Sequence, residues 1–222
     1  MRGTSIAAAA GVWLAFTRPG PVRADPAQWP GSGPTARLGT AVGFSQLGDE
    51  TVTTLGGEVG LGYRLGLLVL EAEYDSLHML EYVAAQGDNT YRGELARYGV
   101  GARFFFANLS HPGDADPDSI FRLYVEIGLG RQHGRWTSGD AFSRNDLATG
   151  AGWLLEHRVR PRPGGLPFSS IGWHFGWQLD TSRVDQVDLV AERTTCKSCG
   201  PPMPGRDLDA SLIVSCSLAA SW

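Results

Sequence analysis

The last fifteen residues, 208–222, restrict the fold more than any other part of the chain. Every second residue from Leu208 to Trp222 is apolar, and the positions between them are mostly small and polar. Because successive side chains of a β-strand point to opposite faces, this alternation predicts one long strand with an apolar and a polar face. The strand ends on an aromatic residue of the apolar set, Trp222.

Seven earlier segments repeat this alternation between apolar residues and Gly, polar or charged residues: 37–45, 54–63, 68–75, 97–106, 121–130, 147–156 and 171–180. With the last segment they make eight predicted strands of roughly 10 to 12 residues, the length that a tilted strand needs to cross a bilayer. The predicted fold class is therefore all-β, an up-and-down antiparallel transmembrane β-barrel of about eight strands.

The connections between these segments can be compared with those of membrane barrels, where inner turns are short and outer loops are long. The first inner turn, 64–66, is tight, and the outer segments 77–93 and 181–207 are long. Two inner connections, 108–119 and 157–168, are longer than such turns usually are. The pattern therefore favours eight strands without establishing each connection.

The N-terminal segment has the features of a secretory signal peptide. A single arginine precedes an apolar run of eleven residues, and Val22 and Ala24 give the small-residue pattern of a cleavage site. The apolar run is too short to cross a membrane as a helix. We therefore predict a signal peptide over 1–24, a short flexible lead over 25–34 and a barrel domain over 35–222.

Charge and hydropathy argue against two other kinds of protein. The 19 Lys and Arg residues face 23 Asp and Glu residues, and three of the arginines lie in the predicted signal peptide. An acidic chain does not suit a nucleic-acid partner, whose phosphates require basic clusters. The sequence also lacks an apolar run of about 18 residues, which a transmembrane helix would need.

Alternation alone does not say which face points inward, so a soluble periplasmic barrel of the lipocalin kind is an alternative. Two features favour an outward apolar face. Glycines two residues apart recur on the polar face, for example Gly99 with Gly101 and Gly128 with Gly130. Such pairs would weaken a solvent-facing strand, whereas in a narrow lumen they leave space for larger side chains. In addition, aromatic residues of the apolar face gather near the strand ends, as in the girdles of membrane barrels.

With its terminal aromatic residue, alternation, girdles and signal peptide, the chain resembles the small eight-stranded outer-membrane β-barrels of Gram-negative bacteria. That group includes adhesion and host-defence barrels and lipid A-modifying enzymes. The resemblance covers nearly everything after Pro34, and it implies a location in the outer membrane and contact with its lipid and lipopolysaccharide. It also implies assembly by the barrel-assembly machinery, with Trp222 as part of the assembly signal. It identifies neither a subfamily nor a surface ligand, because one barrel hosts many tasks.

On the predicted register, charged residues and one histidine point into the barrel. They are Arg37, Glu58, Glu71, Glu73, Asp75, Arg97, Arg103, Arg122, Glu126, Glu156, His174, Asp180 and Asp209. An eight-stranded barrel is just wide enough to be filled by side chains, and buried charges persist only when they are paired. We therefore expect forked arginine–carboxylate ion pairs that close the lumen and leave no open pore.

His174 is the residue of this set best suited to acid–base chemistry, together with Glu73 or Asp75. Barrels that acylate or deacylate lipid A use His, Ser and an acidic residue, but their His-x-Ser pattern is absent here, as is a Gly-x-Ser-x-Gly elbow. A histidine in a lumen is more often a hydrogen-bonding residue. The sequence thus favours a protein that is not an enzyme and needs no cofactor, with a lipid A- or phospholipid-modifying enzyme as the alternative.

The three cysteines offer a disulfide or part of a metal site. Cys196 and Cys199 lie in the longest outer segment, and the exported environment permits them to form a local disulfide. A zinc ribbon would use Cys216 as its third ligand, but the fourth position is Ala219 and Cys216 belongs to the apolar face. A disulfide is favoured and no metal site is expected.

The outer loops, chiefly 181–207, are the predicted working surface. This segment combines several charged residues with the cysteine pair and the prolines Pro201, Pro202 and Pro204. Long loops on a rigid scaffold commonly carry binding sites, and stiff loops lose less entropy when they engage a partner. The sequence therefore predicts an adhesion-type or structural surface protein. A plain hydrophilic cap remains the alternative, because surface insertions cost little.

Overall fold

The computed structural model describes residues 31–83, 90–109, 118–160, 168–189, 201–204 and 209–222. They form eight strands: β1 (Gly33–Leu47), β2 (Glu50–Leu65), β3 (Leu68–Val83), β4 (Thr90–Leu109), β5 (Ser119–Trp136), β6 (Ala141–Arg158), β7 (Ser170–Asp188) and β8 (Asp209–Ser221). Each strand pairs antiparallel with the next, and β8 pairs with β1, so the sheet is a closed up-and-down barrel. The predicted fold class is confirmed.

The barrel has two ends, which the strand connections distinguish. The end that carries Gly33 and Trp222 also carries the β2–β3, β4–β5 and β6–β7 connections, and is named the terminal end. The opposite end, named the distal end, carries the β1–β2, β3–β4, β5–β6 and β7–β8 connections. Within the described residues, no helix has the length and apolar character to cross a membrane.

Two connections are two-residue turns that depend on glycine. Gly48 joins β1 to β2 and Gly66 joins β2 to β3, both with φ of +63°. This conformation is strained for any residue with a Cβ, and glycine at the first turn position is typical of the type II′ hairpin, whose twist matches that of the strands. The predicted inner turn 64–66 was placed slightly too early, because β2 continues through Leu65.

Seven of the strands are longer than predicted, at 15 to 20 residues. Strand β8 has 13 residues and lies within the predicted segment 208–222. The extra length lies mostly at the distal end, where β3 continues to Val83 and β7 to Asp188, shortening the predicted outer segments 77–93 and 181–207. In β3 the inward side chains Leu77 and Met79 are apolar, so alternation fades although pairing continues. In β7 the added residues 181–188 are mostly polar, so no apolar face marks the strand there.

Several sequence predictions fall outside the described residues. They are the signal peptide 1–24, most of the lead 25–34, and the Cys196–Cys199 disulfide. Strand β1 begins at Gly33.

Candidate functional site

The outer wall of the barrel is apolar around its circumference. Large apolar side chains on the outward positions are 37% to 69% exposed, among them Leu38, Leu55, Val100, Leu129 and Trp173. Polar and charged side chains occupy the inward positions of the same strands. This distribution is the reverse of that in a soluble protein, where exposed apolar patches rarely exceed a few hundred Å².

The inward positions at mid-height hold a charge cluster that we name the lumen ion-pair network. Its members are Arg37, Arg97 and Arg103 with Glu58, Glu71, Glu73, Asp75, Glu126 and Asp180. Arg37 contacts Glu58 and Glu71 at 2.8 Å each and Glu73 at 3.3 Å. One guanidinium therefore joins carboxylates from the two neighbouring strands β2 and β3.

The other two arginines of the network extend it across the barrel. Arg97 contacts Asp75 at 2.6 Å, Glu73 at 2.7 Å and, on the far strand β7, Asp180 at 3.2 Å. Arg103 contacts Glu71 at 3.3 Å and Glu126 at 3.2 Å. The network thus joins six strands, β1 to β5 and β7. Its paired geometry offsets the cost of burying these charges.

A second ion-pair cluster lies towards the terminal end, around Glu156. Arg64 contacts it at 2.7 Å and Arg122 at 2.9 Å, while Ser170 donates a short hydrogen bond to it. Both guanidinium groups also lie over the ring of Phe105, at 5.6 and 5.9 Å from its centroid. Cation–π contacts and ion pairs together occupy this part of the lumen.

His174 lies between the two clusters in a hydrogen-bonded chain. Its Nε2 is 2.6 Å from the Tyr124 hydroxyl, and its Nδ1 is 3.1 Å from the Ser217 hydroxyl. The imidazole and the Tyr124 ring are stacked at 5.3 Å, and Arg103 lies 4.7 Å over that ring. His174 is 2% exposed and Ser217 1%, so the pair has little contact with solvent.

A polar layer follows on the distal side of the network. Arg144 donates two hydrogen bonds, of 2.7 and 2.9 Å, to the side-chain amide oxygen of Gln132. It also donates to the Ser211 hydroxyl at 2.8 Å and lies 3.7 Å from the Asp209 carboxylate. Gln132 in turn donates to Asp180 at 3.3 Å. The layer thereby connects Asp209 and Asp180 through one arginine and one amide.

The distal end is filled by a group of inward apolar side chains that we name the distal apolar cluster. Its buried members are Ala41, Leu47, Val52, Leu77, Met79, Tyr91, Leu95, Trp136, Phe142 and Ile213. Tyr82 and Met203 pack against it, and Met203 belongs to the described segment 201–204, which follows β7. Trp136 donates its indole N–H to the backbone oxygen of Pro202 at 3.1 Å.

Glycines on the inward face make room for these side chains, in agreement with the sequence prediction. A Cβ at Gly60 would come within 2.5 Å of the Glu71 carboxylate, and one at Gly152 within 2.4 Å of the Tyr124 hydroxyl. Beside the glycines of β4 and β5, a cavity of about 20 Å³ borders the ion-pair network. That volume is enough for one water molecule.

The structure places every residue of the predicted lumen set inside the barrel. Glu73 and Glu126 are the most accessible of the ion-paired set, with side chains 17% and 16% exposed.

Trp222 follows β8 at the terminal end. Its backbone N–H donates to the backbone oxygen of Pro34 at 3.1 Å, and its ring meets that of Phe168 edge-on at 4.7 Å. Cys216 is a free, outward, exposed thiol. Among the described residues, no group of three His, Cys, Asp or Glu side chains is arranged to hold a metal ion.

Sequence reasoning missed several inward residues for identifiable reasons. Arg64 was assigned to a turn, and Arg144 lies beyond the predicted start of the sixth strand. Phe105 points inward by the same alternation as Arg103, two residues before it, but an apolar residue was not expected on the polar face. Tyr124 belongs to the predicted polar face of its strand, but the predicted lumen set held only charged residues and one histidine.

Among solved structures, the barrel is similar to that of Neisserial surface protein A (NspA). The two are 14% identical, with a TM-score of 0.53, and the match covers 86% of this chain and 99% of that one. The chain has the fold of the small eight-stranded outer-membrane β-barrels. At this identity the likeness shows the fold alone.

Other matches are weaker. Ail, the attachment invasion locus protein of Yersinia pestis, is 12% identical over 86% of this chain and 99% of its own, with a TM-score of 0.41. Its complex with the heparin analogue sucrose octasulfate gives 12% identity, 85% and 97% coverage, and a TM-score of 0.39. No protein-family model matches the chain, and no curated protein matches it.

Proposed function

We propose that the protein is an integral outer-membrane barrel that acts at the cell surface through its distal end. The observation that carries this proposal is the reversed polarity of the barrel, with apolar residues outside and ion-paired residues inside. In a bilayer the outward side chains face acyl chains, and a closed barrel leaves no unpaired backbone groups in the hydrocarbon. The terminal end then faces the periplasm and the distal end faces the outside.

The ion-pair clusters and the distal apolar cluster support a structural role for the lumen. Buried arginine–carboxylate contacts run through most of its length, from Glu156 to Asp209, and apolar side chains fill its outer part. An interior of this kind holds the barrel rigid and blocks passage of solutes. The binding surface then lies on the distal connections, chiefly 181–207, which the distal ends of the strands support.

Outward charges at the distal end suit contact with lipopolysaccharide, the partner expected from the resemblance. Arg131 is about one-third exposed and is paired with Asp185 at 2.6 Å, and the exposed Arg92 is paired with Glu81 at 2.8 Å. Arg131 lies opposite Tyr98 in the β4–β5 pairing, and Arg92 lies six residues from Tyr98 towards the distal end of β4. Exposed ion pairs of this kind are weak and exchange readily with phosphate groups.

A lipid-modifying enzyme is the second candidate, and the observation that favours it is the Ser217–His174 hydrogen bond. The same histidine is bound on its other nitrogen by the Tyr124 hydroxyl rather than by a carboxylate. A mutant comparison separates the candidates: His174→Ala, and separately a short Gly/Ser turn in place of 190–200. If the protein is an enzyme, His174→Ala should alter the lipid A profile. If the protein acts by binding at the cell surface, replacing 190–200 should abolish that binding.

Membrane fractionation tests the proposal. Cells that express the full chain are washed with carbonate, and the membrane fraction is run on gels with and without boiling. We expect the protein to stay in the outer-membrane fraction and to migrate differently when unboiled, since closed barrels resist detergent. A soluble periplasmic protein without a heat-dependent shift would contradict the proposal and favour the lipocalin-like alternative.

A further inference from the structure

The segment Pro201–Pro204 is seated in the distal mouth of the barrel like a bound peptide. Pro201, Pro202 and Pro204 are buried, and Met203 packs against the distal apolar cluster. The backbone oxygen of Pro202 accepts a hydrogen bond of 3.1 Å from the Trp136 indole. The β1–β2 turn lies directly against the segment, since a Cβ on Gly48 would come within 3.0 Å of the Met203 oxygen.

The chemistry of this contact is that of proline-rich peptide recognition. Proline has no N–H and a fixed φ, so a Pro-Pro-x-Pro segment is extended and stiff and offers carbonyl oxygens as acceptors. Proteins that bind such segments use grooves lined with aromatic rings. Here the aromatic side chains are Trp136, Tyr91 and Phe142, and the indole N–H, which can only donate, meets a proline carbonyl.

We propose that the distal mouth is a docking site for an extended, proline-containing segment of a partner protein, and that Pro201–Pro204 is its resident internal ligand. This proposal rests on the proposed function, because it needs the distal end to face the outside. The occupant is specified by what the site already holds: a stiff apolar peptide with one carbonyl aligned on Trp136. The resident segment keeps the apolar mouth from standing open to water.

A resident ligand weakens binding of a competing peptide by a calculable factor. A segment tethered by short connections has an effective concentration on the order of 1 mM. The apparent affinity for a free peptide falls by about the ratio of this effective concentration to the peptide's own dissociation constant, which is about 20-fold for a peptide whose constant is one-twentieth of it. Removal of the internal prolines therefore restores the affinity by about that factor.

The test uses the full-length protein folded in detergent micelles and a fluorescent peptide with the sequence Pro-Pro-Met-Pro between glycines. An opened variant carries Pro201→Ser, Pro202→Gly, Met203→Ser and Pro204→Gly. Fluorescence polarisation should show that this variant binds the peptide about 20-fold more tightly than the unmodified protein. A peptide with serine in place of each proline should bind neither protein.

Two further variants identify the contact. Trp136→Phe, added to the opened variant, keeps an aromatic ring but removes the donor, and should weaken binding about tenfold, as loss of a buried hydrogen bond does. Trp177→Phe, which changes an outward indole on β7, is the matched control and should leave binding unchanged. If the opened variant does not fold, the single change Met203→Ser should still raise the affinity for the peptide.

Three results would overturn the docking proposal. They are equal binding by the opened and unmodified proteins, equal binding of the serine peptide, and a dimer of the unmodified protein in which a second copy supplies the segment. A heat-dependent gel shift is recorded on every sample. A folded membrane barrel without peptide binding refutes the docking site and leaves the proposed function standing, whereas loss of the shift in the unmodified protein refutes the proposed function itself.

Discussion

Arg97 offers the sharpest test of how the lumen stabilises the barrel. Its guanidinium is 4% exposed and contacts three carboxylates, Glu73, Asp75 and Asp180, at 2.6 to 3.2 Å. In Arg97→Met, these carboxylates lose a common partner while the side chains of Asp75 and Asp180 stay buried. Removing one partner of a buried ion pair costs about 3–5 kcal/mol. We expect the free energy of unfolding to fall by at least that amount.

The assay is reversible denaturant unfolding of the protein in lipid vesicles, followed by tryptophan fluorescence. Arg92→Met is the matched control, since Arg92 lies on the same strand and contacts Glu81 at 2.8 Å but is 72% exposed. An exposed pair contributes about 0–1 kcal/mol, so this variant should unfold almost like the original protein. Adding Asp180→Asn to Arg97→Met should recover about 1–2 kcal/mol, because one stranded charge is removed.

Similar unfolding free energies for Arg97→Met and Arg92→Met would refute the reasoning, since burial would then not distinguish the two ion pairs. Failure of Asp180→Asn to recover any stability would show that the cost of losing Arg97 is not electrostatic. A loss in packing alone would persist in the double variant.

Three further predictions concern the inward glycine Gly152, the C-terminal Trp222 and the lumen histidine His174. Gly152→Ala should destabilise the barrel in denaturant unfolding, because its Cβ would lie 2.4 Å from the Tyr124 hydroxyl and 2.3 Å from a backbone oxygen of β7. Gly57→Ala should not destabilise it, because this Cβ meets nothing closer than 3.7 Å, and equal effects of the two changes would contradict the argument. If the Trp222 ring anchors the end of the closing strand at the membrane interface, Trp222→Asp should leave export intact but lower the folded fraction on unboiled gels. A normal folded yield would refute this role. His174→Ala should cost about 1–3 kcal/mol through two lost hydrogen bonds and leave the lipid A profile unchanged by mass spectrometry, whereas an altered profile would favour the enzyme.

The sequence sufficed for the fold and for the charged middle of the lumen because both follow from the period of the strand. Arg97, Arg103 and Arg122 could be placed inward since apolar neighbours on either side fixed the register. Which carboxylate each arginine contacts could not be predicted. That depends on the barrel closing, which brings Asp180 of β7 to within 3.2 Å of Arg97 on β4.

The distal end could not be predicted for a different reason. Inward residues there, such as Leu77 and Met79, are as apolar as outward Leu80, so the two faces cannot be told apart by polarity. Register shifts add to this, one between Met79 and Tyr82 and one between Ser143 and Arg144. A bulge changes which side chains point inward without leaving a clear signal in the sequence.

The central claim is that the apolar face of the strands meets lipid while the polar face fills the lumen, and Cys216 allows the most direct measurement. With Cys196 and Cys199 replaced by serine, the exposed thiol of Cys216 is labelled with a fluorophore and the protein is folded into vesicles. If this face meets lipid, brominated acyl chains should quench the fluorophore strongly and iodide in the water should quench it hardly at all. A cysteine at the adjacent inward position, Ser217→Cys with Cys216→Ser, should resist a water-soluble maleimide while the barrel is folded. Quenching of the Cys216 label by iodide but not by brominated lipid would contradict the account.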